Sequence, residues 1–169
     1  MKGLIKVGLN GKLGFLGYGN MGAAILEGLV AQGIIQMGQA LTYDPDEGRC
    51  EAARQAGVEV LPSAEALAAS SDILVLAVKP QAMDTALTQL RPSINPNALV
   101  ISIAAGISIA FIQQRLGAAT RVVRVMPNTP ALVQAGAAGF ALSVNCGDPD
   151  KEIARTIFEA VGVAEMLEE

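Results

Sequence analysis

The sequence predicts an α/β fold in which a doubly wound, mostly parallel sheet carries helices on both faces. Short apolar runs alternate with helix-period segments along the 169 residues, and neighbouring parallel strands need such helical crossovers between them. The run DILVLAV is apolar without alternation, which is typical of a central strand covered on both faces. We therefore expect this run to lie in the middle of the sheet.

Eight apolar runs are predicted to form the strands. The last two, near the C-terminal end, are expected to add to the doubly wound core, the final one as an edge strand. In chain order the predicted strands are Leu13 to Leu16, Ala40 to Tyr43, Val58 to Leu61, Ile73 to Val78, Leu99 to Ile103, Val122 to Met126, Gly139 to Ser143 and the VAEML segment after Gly162.

Capping residues mark the ends of the predicted helices. Ser63 and Ser108 are expected N-caps, because a serine oxygen can accept a hydrogen bond from a free N–H group of the first turn. Gly33 and Gly57 follow helix-period segments, at positions where a left-handed backbone favours glycine.

The segment DPDKEIARTIFEAVG is the clearest helix in the sequence. We expect Asp148 as its N-cap, Pro149 at the first helical position and Gly162 as the residue that ends it.

The composition argues against several classes of function. With 51% hydrophobic residues the chain is expected to be globular, and a formal charge of −4 without any basic run argues against nucleic-acid binding. Cys50 and Cys146 are far apart and the chain has no His, so neither a disulfide framework nor a metal site is expected. No apolar run has the length that a membrane span needs. A cytoplasmic protein fits these features best.

The segment GYGNMG directly follows the first predicted strand and opens a helix. Gly17 permits a tight turn, Gly19 lets a pyrophosphate approach the backbone, and Gly22 lets the helix pack close to the sheet. The helix N-terminus adds unpaired N–H groups and a partial positive charge. The pattern predicts a Rossmann-type fold that binds a dinucleotide. The predicted binding residues of this turn are Gly17, Tyr18, Gly19, Asn20, Met21 and Gly22.

Asp44 ends the next predicted strand, at about the 20-residue spacing where an acidic residue binds the adenosine ribose. A carboxylate there favours NAD because it repels a 2′-phosphate, whereas Arg49, five residues later, favours NADP. In an alternative interpretation Asp44 only forms a turn and Arg49 is solvated. The choice between NADP and NAD therefore stays open.

Three further stretches make a resemblance to a known family specific. They are AVKPQ at residues 77–81, SIAAGIS at 102–108 and RVMPNTPALVQAG at 124–136. Together with GFLGYGNMG, in this order and spacing, they resemble pyrroline-5-carboxylate reductase, which uses NAD(P)H to reduce a cyclic imine to proline. The resemblance spans residues 13–167, and RVMPNTPA is its most specific part.

The resemblance and the predicted topology place further residues beside the cofactor, at the carboxyl edge of the sheet. They are Ala77, Val78, Lys79 and Pro80 after one strand, and Ala104, Ala105 and Gly106 after the next. Asn128 and Thr129, held between two prolines, are expected near the nicotinamide and the small-molecule imine substrate. Each assignment has an alternative. Lys79 could be a surface lysine, and Ala104 to Gly106 could serve packing alone. The loop at Asn128 could be a Pro-rich turn that Asn128 caps.

The resembled reductases continue into an all-helical domain that begins with a segment like SGSGPAY, forms the dimer and completes the substrate pocket. No such segment occurs here. The resemblance therefore implies the cofactor-binding part of a homo-oligomeric enzyme, with residues 1–12 as an N-terminal extension and residues 13–169 as the dinucleotide-binding domain. This part alone is expected to bind NADP or NAD and to be inactive.

No catalytic residue is assigned from the sequence. The chain has no His, and neither Tyr18 nor Tyr43 is well placed to donate a proton. An imine is basic enough to arrive protonated, so a reductase remains possible without such a donor. The alternatives are another reductase of the 6-phosphogluconate-dehydrogenase-like group and a nucleotide-binding module that does not catalyse.

Overall fold

The computed structural model describes residues 9–169, which form an eight-stranded sheet flanked by six α-helices. The strands are β1 (Leu13–Leu16), β2 (Ala40–Tyr43), β3 (Glu59–Val60), β4 (Ile73–Leu76), β5 (Leu99–Ser102), β6 (Arg121–Pro127), β7 (Gly136–Leu142) and β8 (Gly162–Met166). The helices are α1 (Asn20–Ala31), α2 (Glu47–Gln55), α3 (Ala64–Ser70), α4 (Met83–Leu90), α5 (Ile109–Leu116) and α6 (Asp148–Glu159). Short 3₁₀ segments lie at Met37–Gln39, Pro80–Ala82 and Thr129–Val133.

The strand order is β3-β2-β1-β4-β5-β6-β7-β8. The strands from β1 to β6 pair in parallel, β7 pairs antiparallel with β6, and β8 pairs in parallel with β7. The doubly wound, mostly parallel sheet is confirmed, and β4, from the run DILVLAV, lies in its middle. Because β1, β4, β5 and β6 are parallel, their carboxyl ends lie along one edge of the sheet.

Each face of the sheet has its own apolar core. Phe15, Val75 and Ile101 point to the face covered by α1, α2 and α6. Leu74 and Val100 point to the opposite face and pack with α3, α4 and α5. Successive residues of β4 and β5 thus enter both cores, which explains why these strands are apolar without alternation.

At the end of the sheet formed by β6 to β8, α6 covers one face, whereas α5 packs against β6 on the other face and leaves part of that face exposed. There α6 packs through Ile157 and Phe158 into the core shared with α1. On the opposite face Met126 is 46% exposed and Val163 is 62% exposed, and Leu167, which lies over Gly139, is 60% exposed. We call Met126, Val163 and Leu167 the exposed apolar face.

The predicted capping residues of the first helices are confirmed. Gly33 and Gly57 follow α1 and α2 with positive φ angles of 67° and 85°. Ser63 and Ser108 cap α3 and α5, each accepting a hydrogen bond from the backbone N–H three residues later.

The predicted start of α6 is wrong by one residue. Gly147 is the N-cap, so Asp148 and Pro149 are the first and second helical residues. The capping carboxylate belongs to Asp150, whose Oδ2 accepts the Gly147 N–H at 2.9 Å. An acidic residue three positions into a helix can cap its backbone in place of the N-cap side chain.

The predicted role of Gly162 as the end of α6 is also wrong. The helix ends at Glu159, and Gly162 is the first residue of β8. A side chain at Gly162 would overlap the carbonyl oxygen of Gly136 in β7, so glycine is needed for the close approach of two strands.

Asp150 should contribute strongly to the stability of the fold. Its side chain is 4% exposed. The carboxylate accepts a hydrogen bond from Nη1 of Arg121 at 2.6 Å and another from the Gly147 N–H. We expect Asp150→Ala to lower the free energy of unfolding by about 1–3 kcal/mol, because it leaves both donors without their acceptor. Urea unfolding measures this change. Glu152→Ala is the control, since Glu152 is exposed and pairs with Arg155 at 3.4 Å; an equal loss in both variants would contradict the prediction.

Residues 1–8 of the predicted N-terminal extension lie outside the described part of the chain. Residues 9–12 contact the sheet and its helices. The Leu9 N–H donates to the Ile34 carbonyl at 3.3 Å, and the Lys12 N–H donates to Asp72 at 2.8 Å. The division into an extension of residues 1–12 and a domain of residues 13–169 stays a prediction.

The structure of residues 9–169 bears on the cysteines, on possible metal sites and on possible membrane spans. Cys50 and Cys146 are both free thiols. Over that range no three or more His, Cys, Asp and Glu residues form a group that could hold a metal ion. None of the helices there combines the length and apolarity needed to cross a membrane.

Candidate dinucleotide-binding site

The predicted binding residues lie in the loops that follow parallel strands and in the first turns of the helices after them, where Gly22 belongs to α1 and Arg49 to α2. The glycine turn follows β1, Asp44 follows β2, Lys79 follows β4, Ala104 to Gly106 follow β5, and Asn128 follows β6. All of these loops leave the same edge of the sheet, the edge at which open α/β sheets bind ligands.

Gly17 forms the tight turn after β1. Its φ angle is 97°, and an added Cβ would lie 2.7 Å from the carbonyl oxygen of Ala77. The Gly17 N–H donates to the Tyr43 carbonyl at 2.8 Å. The turn is therefore held against the ends of both neighbouring strands, in a conformation that favours glycine.

Gly22 and Gly19 serve different purposes. An added Cβ at Gly22 would lie 3.0 Å from the carbonyl oxygen of Gly17 and 3.4 Å from the Ala77 Cβ, so α1 packs closely on the strand ends. At Gly19 the nearest atom to an added Cβ is Nη1 of Arg49, at 3.6 Å. Gly19 is also the N-cap of α1, and no side chain caps this helix. The open backbone and free N–H groups fit a dinucleotide pyrophosphate.

Asp44 is a buried carboxylate, with 5% of the residue exposed. Its Oδ2 accepts the Tyr18 N–H at 2.8 Å, and its Oδ1 accepts the Asp46 N–H at 2.9 Å. Nη1 of Arg49 lies 3.5 Å from Oδ2. Asp44 thus connects the glycine turn to the loop after β2.

The Tyr18 side chain belongs to the core that α1 covers. Burial, and secondarily the negative charge of Glu27, raises the pKa of the Tyr18 phenol above its ordinary value. The phenol is therefore a weaker acid than usual. The side chain of Tyr18 serves packing, and the backbone is the part of this residue that borders the glycine turn.

The loop after β4 begins earlier than predicted, because the strand ends at Leu76. Val78 is therefore in the loop, where it is half-buried, and Lys79 is exposed before the 3₁₀ segment that starts at Pro80. After β5, Ala104 is buried, whereas Gly106 has a φ angle of 75° and nothing within 4 Å of an added Cβ. The loop after β5 therefore presents little side-chain bulk near the end of its strand.

Asn128 holds together the loop between β6 and β7. Its N–H donates to the Ala137 carbonyl at 3.2 Å, and its Oδ1 accepts the Ala137 N–H at 2.8 Å. Thr129, exposed, begins a 3₁₀ segment that lies against α1. Among residues 9–169 the Nδ2 group of Asn128 has no protein acceptor, so it is free to donate to a ligand.

Thr42 is a supporting residue that the sequence-based prediction omitted. It is fully buried in β2, and its Oγ1 donates to the Phe15 carbonyl at 2.8 Å. This bond joins β1 and β2 just before the glycine turn. A hydroxyl residue within the apolar run ALTY was the available signal, because a buried hydroxyl needs a partner.

Residues 12–106 match the family model described as NADP oxidoreductase, coenzyme F420-dependent. This match covers more than half of the 169 residues. The chain belongs to this family. A pyrroline-5-carboxylate reductase from Escherichia coli strain K12 is 39% identical over 159 residues, which are 94% of this chain and 59% of the relative. The resemblance inferred from the sequence motifs is confirmed.

Solved structures show the same likeness. The pyrroline carboxylate reductase of Plasmodium falciparum, solved with NADP bound, is 32% identical with a TM-score of 0.85, covering 95% of this chain and 58% of that one. The pyrroline-5-carboxylate reductase of Coxiella burnetii is 31% identical with a TM-score of 0.89, covering 95% and 60%. The chain thus spans about three-fifths of the length of the relatives it matches.

Proposed function

We propose that this chain is the NAD(P)H-binding domain of a pyrroline-5-carboxylate reductase, which reduces 1-pyrroline-5-carboxylate to L-proline in amino-acid biosynthesis. The geometry of the glycine turn carries the proposal. Gly17 forms a turn that favours glycine, Gly22 brings α1 close to the sheet, and the backbone at Gly19 is open. The NADP bound to the Plasmodium falciparum relative supports the same class of ligand.

The binding residues have distinct proposed roles. The glycine turn of residues 17–22 faces the pyrophosphate through the open backbone at Gly19 and the N–H groups at the start of α1, and Asp44 and Arg49 lie on the adenosine side. The loops after β4 and β5 contact the cofactor between its phosphates and its nicotinamide, through Ala77, Val78, Lys79, Pro80, Ala104, Ala105 and Gly106.

Asn128 and Thr129 are the proposed substrate contacts. A bound nicotinamide cofactor would supply the hydride. The loop that contains Asn128 is braced by two hydrogen bonds to Ala137, so its free amide group can hold a small ligand in a fixed position. No residue of this chain is assigned as a proton donor, in agreement with a substrate that arrives protonated.

The full-length protein is proposed to be a homo-oligomer in the cytoplasm. Its relatives are longer than this chain, and the exposed apolar face offers a surface where additional helical sequence can dock. The two free thiols agree with a reducing compartment.

Titration with NADPH and NADH tests the proposed binding. We expect saturable binding of at least one of them, at one site per chain, measured by calorimetry or by the change in nicotinamide fluorescence. Absence of saturable binding of both cofactors to the folded chain would contradict the proposal.

Activity assays separate the reductase from the alternatives. We expect the 169-residue chain to reduce pyrroline-5-carboxylate negligibly, because a displacement of about 1 Å can slow such a reaction about a hundredfold and Asn128 and Thr129 form an open surface. A longer chain that includes helical sequence should be active. Rapid turnover by the 169 residues would contradict the proposal that this chain holds only part of the substrate pocket. Oxidation of a hydroxy acid would favour another reductase of the 6-phosphogluconate-dehydrogenase-like group.

A further inference from the structure

The segment of residues 167–169 leaves β8 and crosses the neighbouring strands on the face of the sheet that α5 covers. The Leu167 N–H donates to the Phe140 carbonyl in β7 at 2.8 Å. Glu169 then reaches Arg124 in β6 and the first turn of α5. The segment thus connects the edge strand β8 with the helix that follows β5.

The Glu169 carboxylate accepts two hydrogen bonds at one oxygen. Its Oε1 accepts Nη1 of Arg124 at 3.0 Å and the Ile109 N–H at 2.9 Å. Ile109 is the first residue of α5, and Ser108 caps a different N–H group of that turn, the one of Phe111. Glu169, 60 residues further along the chain than Ile109, therefore supplies the negative charge that is favoured at the start of a helix.

The Arg124 side chain depends on Glu169 for an acceptor. The two side chains are 25% and 32% exposed. Within residues 9–169 Glu169 is the sole hydrogen-bond partner of the Arg124 guanidinium, and the buried Nε of Arg124 has none. Removal of the Glu169 carboxylate would leave a largely buried cation without an acceptor, which disfavours its present position.

The loop between β5 and α5 depends on its two ends for its position. Inside the loop, the Ala104 N–H donates to Ser102 Oγ at 3.3 Å and the Ile107 N–H to the Ala104 carbonyl at 3.5 Å, both longer than a usual N–H···O bond. At one end, Ser102 lies beside Arg124 in the parallel pairing of β5 with β6. At the other end, Glu169 holds the start of α5. The pair of Arg124 and Glu169 therefore joins both ends of the loop.

We propose that Glu169 is a positioning residue for the cofactor. Its carboxylate holds Arg124 and the first turn of α5 together, and it thereby fixes residues 104–106, the part of the loop proposed to contact the cofactor between its phosphates and its nicotinamide. Glu169 acts through this loop, without a contact to the cofactor. The proposal rests on the proposed function, since it concerns how the same dinucleotide site is held in place.

The Glu169→Ala variant tests this role with two kinds of ligand. NADH and NADPH are complete cofactors, whereas ADP and 2′-phospho-ADP keep the adenosine and both bridging phosphates but lack the nicotinamide riboside. We expect the variant to bind the complete cofactor about threefold to tenfold more weakly, a part of the loss for one hydrogen bond to a charged group, and to bind the shortened ligand like the parent. A role in stability alone would weaken both ligands by the same factor.

Matched variants separate the charge of Glu169 from its position. Glu168→Ala is the control, because Glu168 is exposed and forms no ion pair within residues 9–169. Glu169→Gln keeps an acceptor for the Ile109 N–H but loses the charge opposite Arg124, so it should restore part of the affinity. Arg124→Met should also weaken binding of the complete cofactor, and the loss in the double variant should be smaller than the sum of the two single losses, because the two residues are in contact.

Amide hydrogen exchange, followed by NMR, tests the contact without a cofactor. Glu169→Ala should speed the exchange of the Ile109 amide and of residues 104–107, and it should leave the glycine turn of residues 17–22 unchanged. Failure of the parent chain to bind the complete cofactors would contradict the proposed function itself. If the parent binds them, three results would overturn the inference alone: unchanged exchange at Ile109, an equal loss for complete and shortened ligands, or a parent that binds both kinds equally well.

Discussion

The Gly19→Val variant should fold like the parent chain and bind NADPH and NADH at least about tenfold more weakly, the cost of losing one hydrogen bond to a charged group. The backbone at Gly19 is extended, with a φ angle of −80°, so valine is compatible with the fold. The added Cβ finds Arg49 as its nearest neighbour, at 3.6 Å, and otherwise occupies the open space beside the turn. That space is where a pyrophosphate must approach the backbone.

Titration calorimetry and thermal unfolding together measure this effect. Gly38→Val is the control, because an added Cβ at Gly38 has nothing within 4 Å and the residue lies before β2, away from the turn. Binding by Gly19→Val that matches the parent, in a folded protein, would show that the turn does not hold the dinucleotide.

Substitution of Gly17, in the same turn, should destabilise the fold itself, whereas substitution of Gly19 should weaken cofactor binding alone. Gly17→Ala is expected to lower the free energy of unfolding by about 2–4 kcal/mol, because it adds backbone strain to a steric clash. The φ angle of 97° disfavours alanine, and the new Cβ would lie 2.7 Å from the Ala77 carbonyl oxygen. Urea unfolding gives the value directly.

The Gly33→Ala variant separates the effect of backbone strain at a positive φ angle from the effect of the steric clash with the Ala77 carbonyl oxygen. Gly33 also has a positive φ angle, 67°, but an added Cβ there has nothing within 4 Å. The loss at Gly33 should be about 1 kcal/mol, from the left-handed backbone alone. Equal losses at Gly17 and Gly33 would show that the contact with the Ala77 carbonyl contributes nothing.

Local patterns explain why much of the fold could be predicted from the sequence. A strand such as β4 is apolar throughout because both of its faces are buried, and this property is visible in four residues. Helix ends such as Gly57 and Ser108 depend on the backbone within a few positions. Such features require no knowledge of distant contacts.

Apart from the N-cap of α6, the incorrect and missing parts depend on distant contacts. Glycine at position 162 is explained by its approach to Gly136, 26 residues earlier, and not by the helix before it. The antiparallel pairing of β7 with β6 is accompanied by hydrogen bonds between Asn128 and Ala137, which no pattern in the sequence reveals.

The candidate site shows the same division. The spacing after the glycines identified Asp44 as a residue of interest, and the structure places it beside the turn. Spacing alone does not tell where a carboxylate points. The two backbone N–H groups that Asp44 accepts, and the position of Arg49 beside Gly19, are visible only in three dimensions.

The two edges of the sheet differ in their capacity to recruit another strand. At one edge β3 has only two residues, which is too short to template the pairing of a second chain. At the other edge β8 has five residues, with Val163 and Met166 exposed at 62% and 45%. Unwanted sheet extension, and the amyloid-like aggregation that can follow it, should therefore begin at β8, with Glu165 as the charged residue within that strand that opposes it.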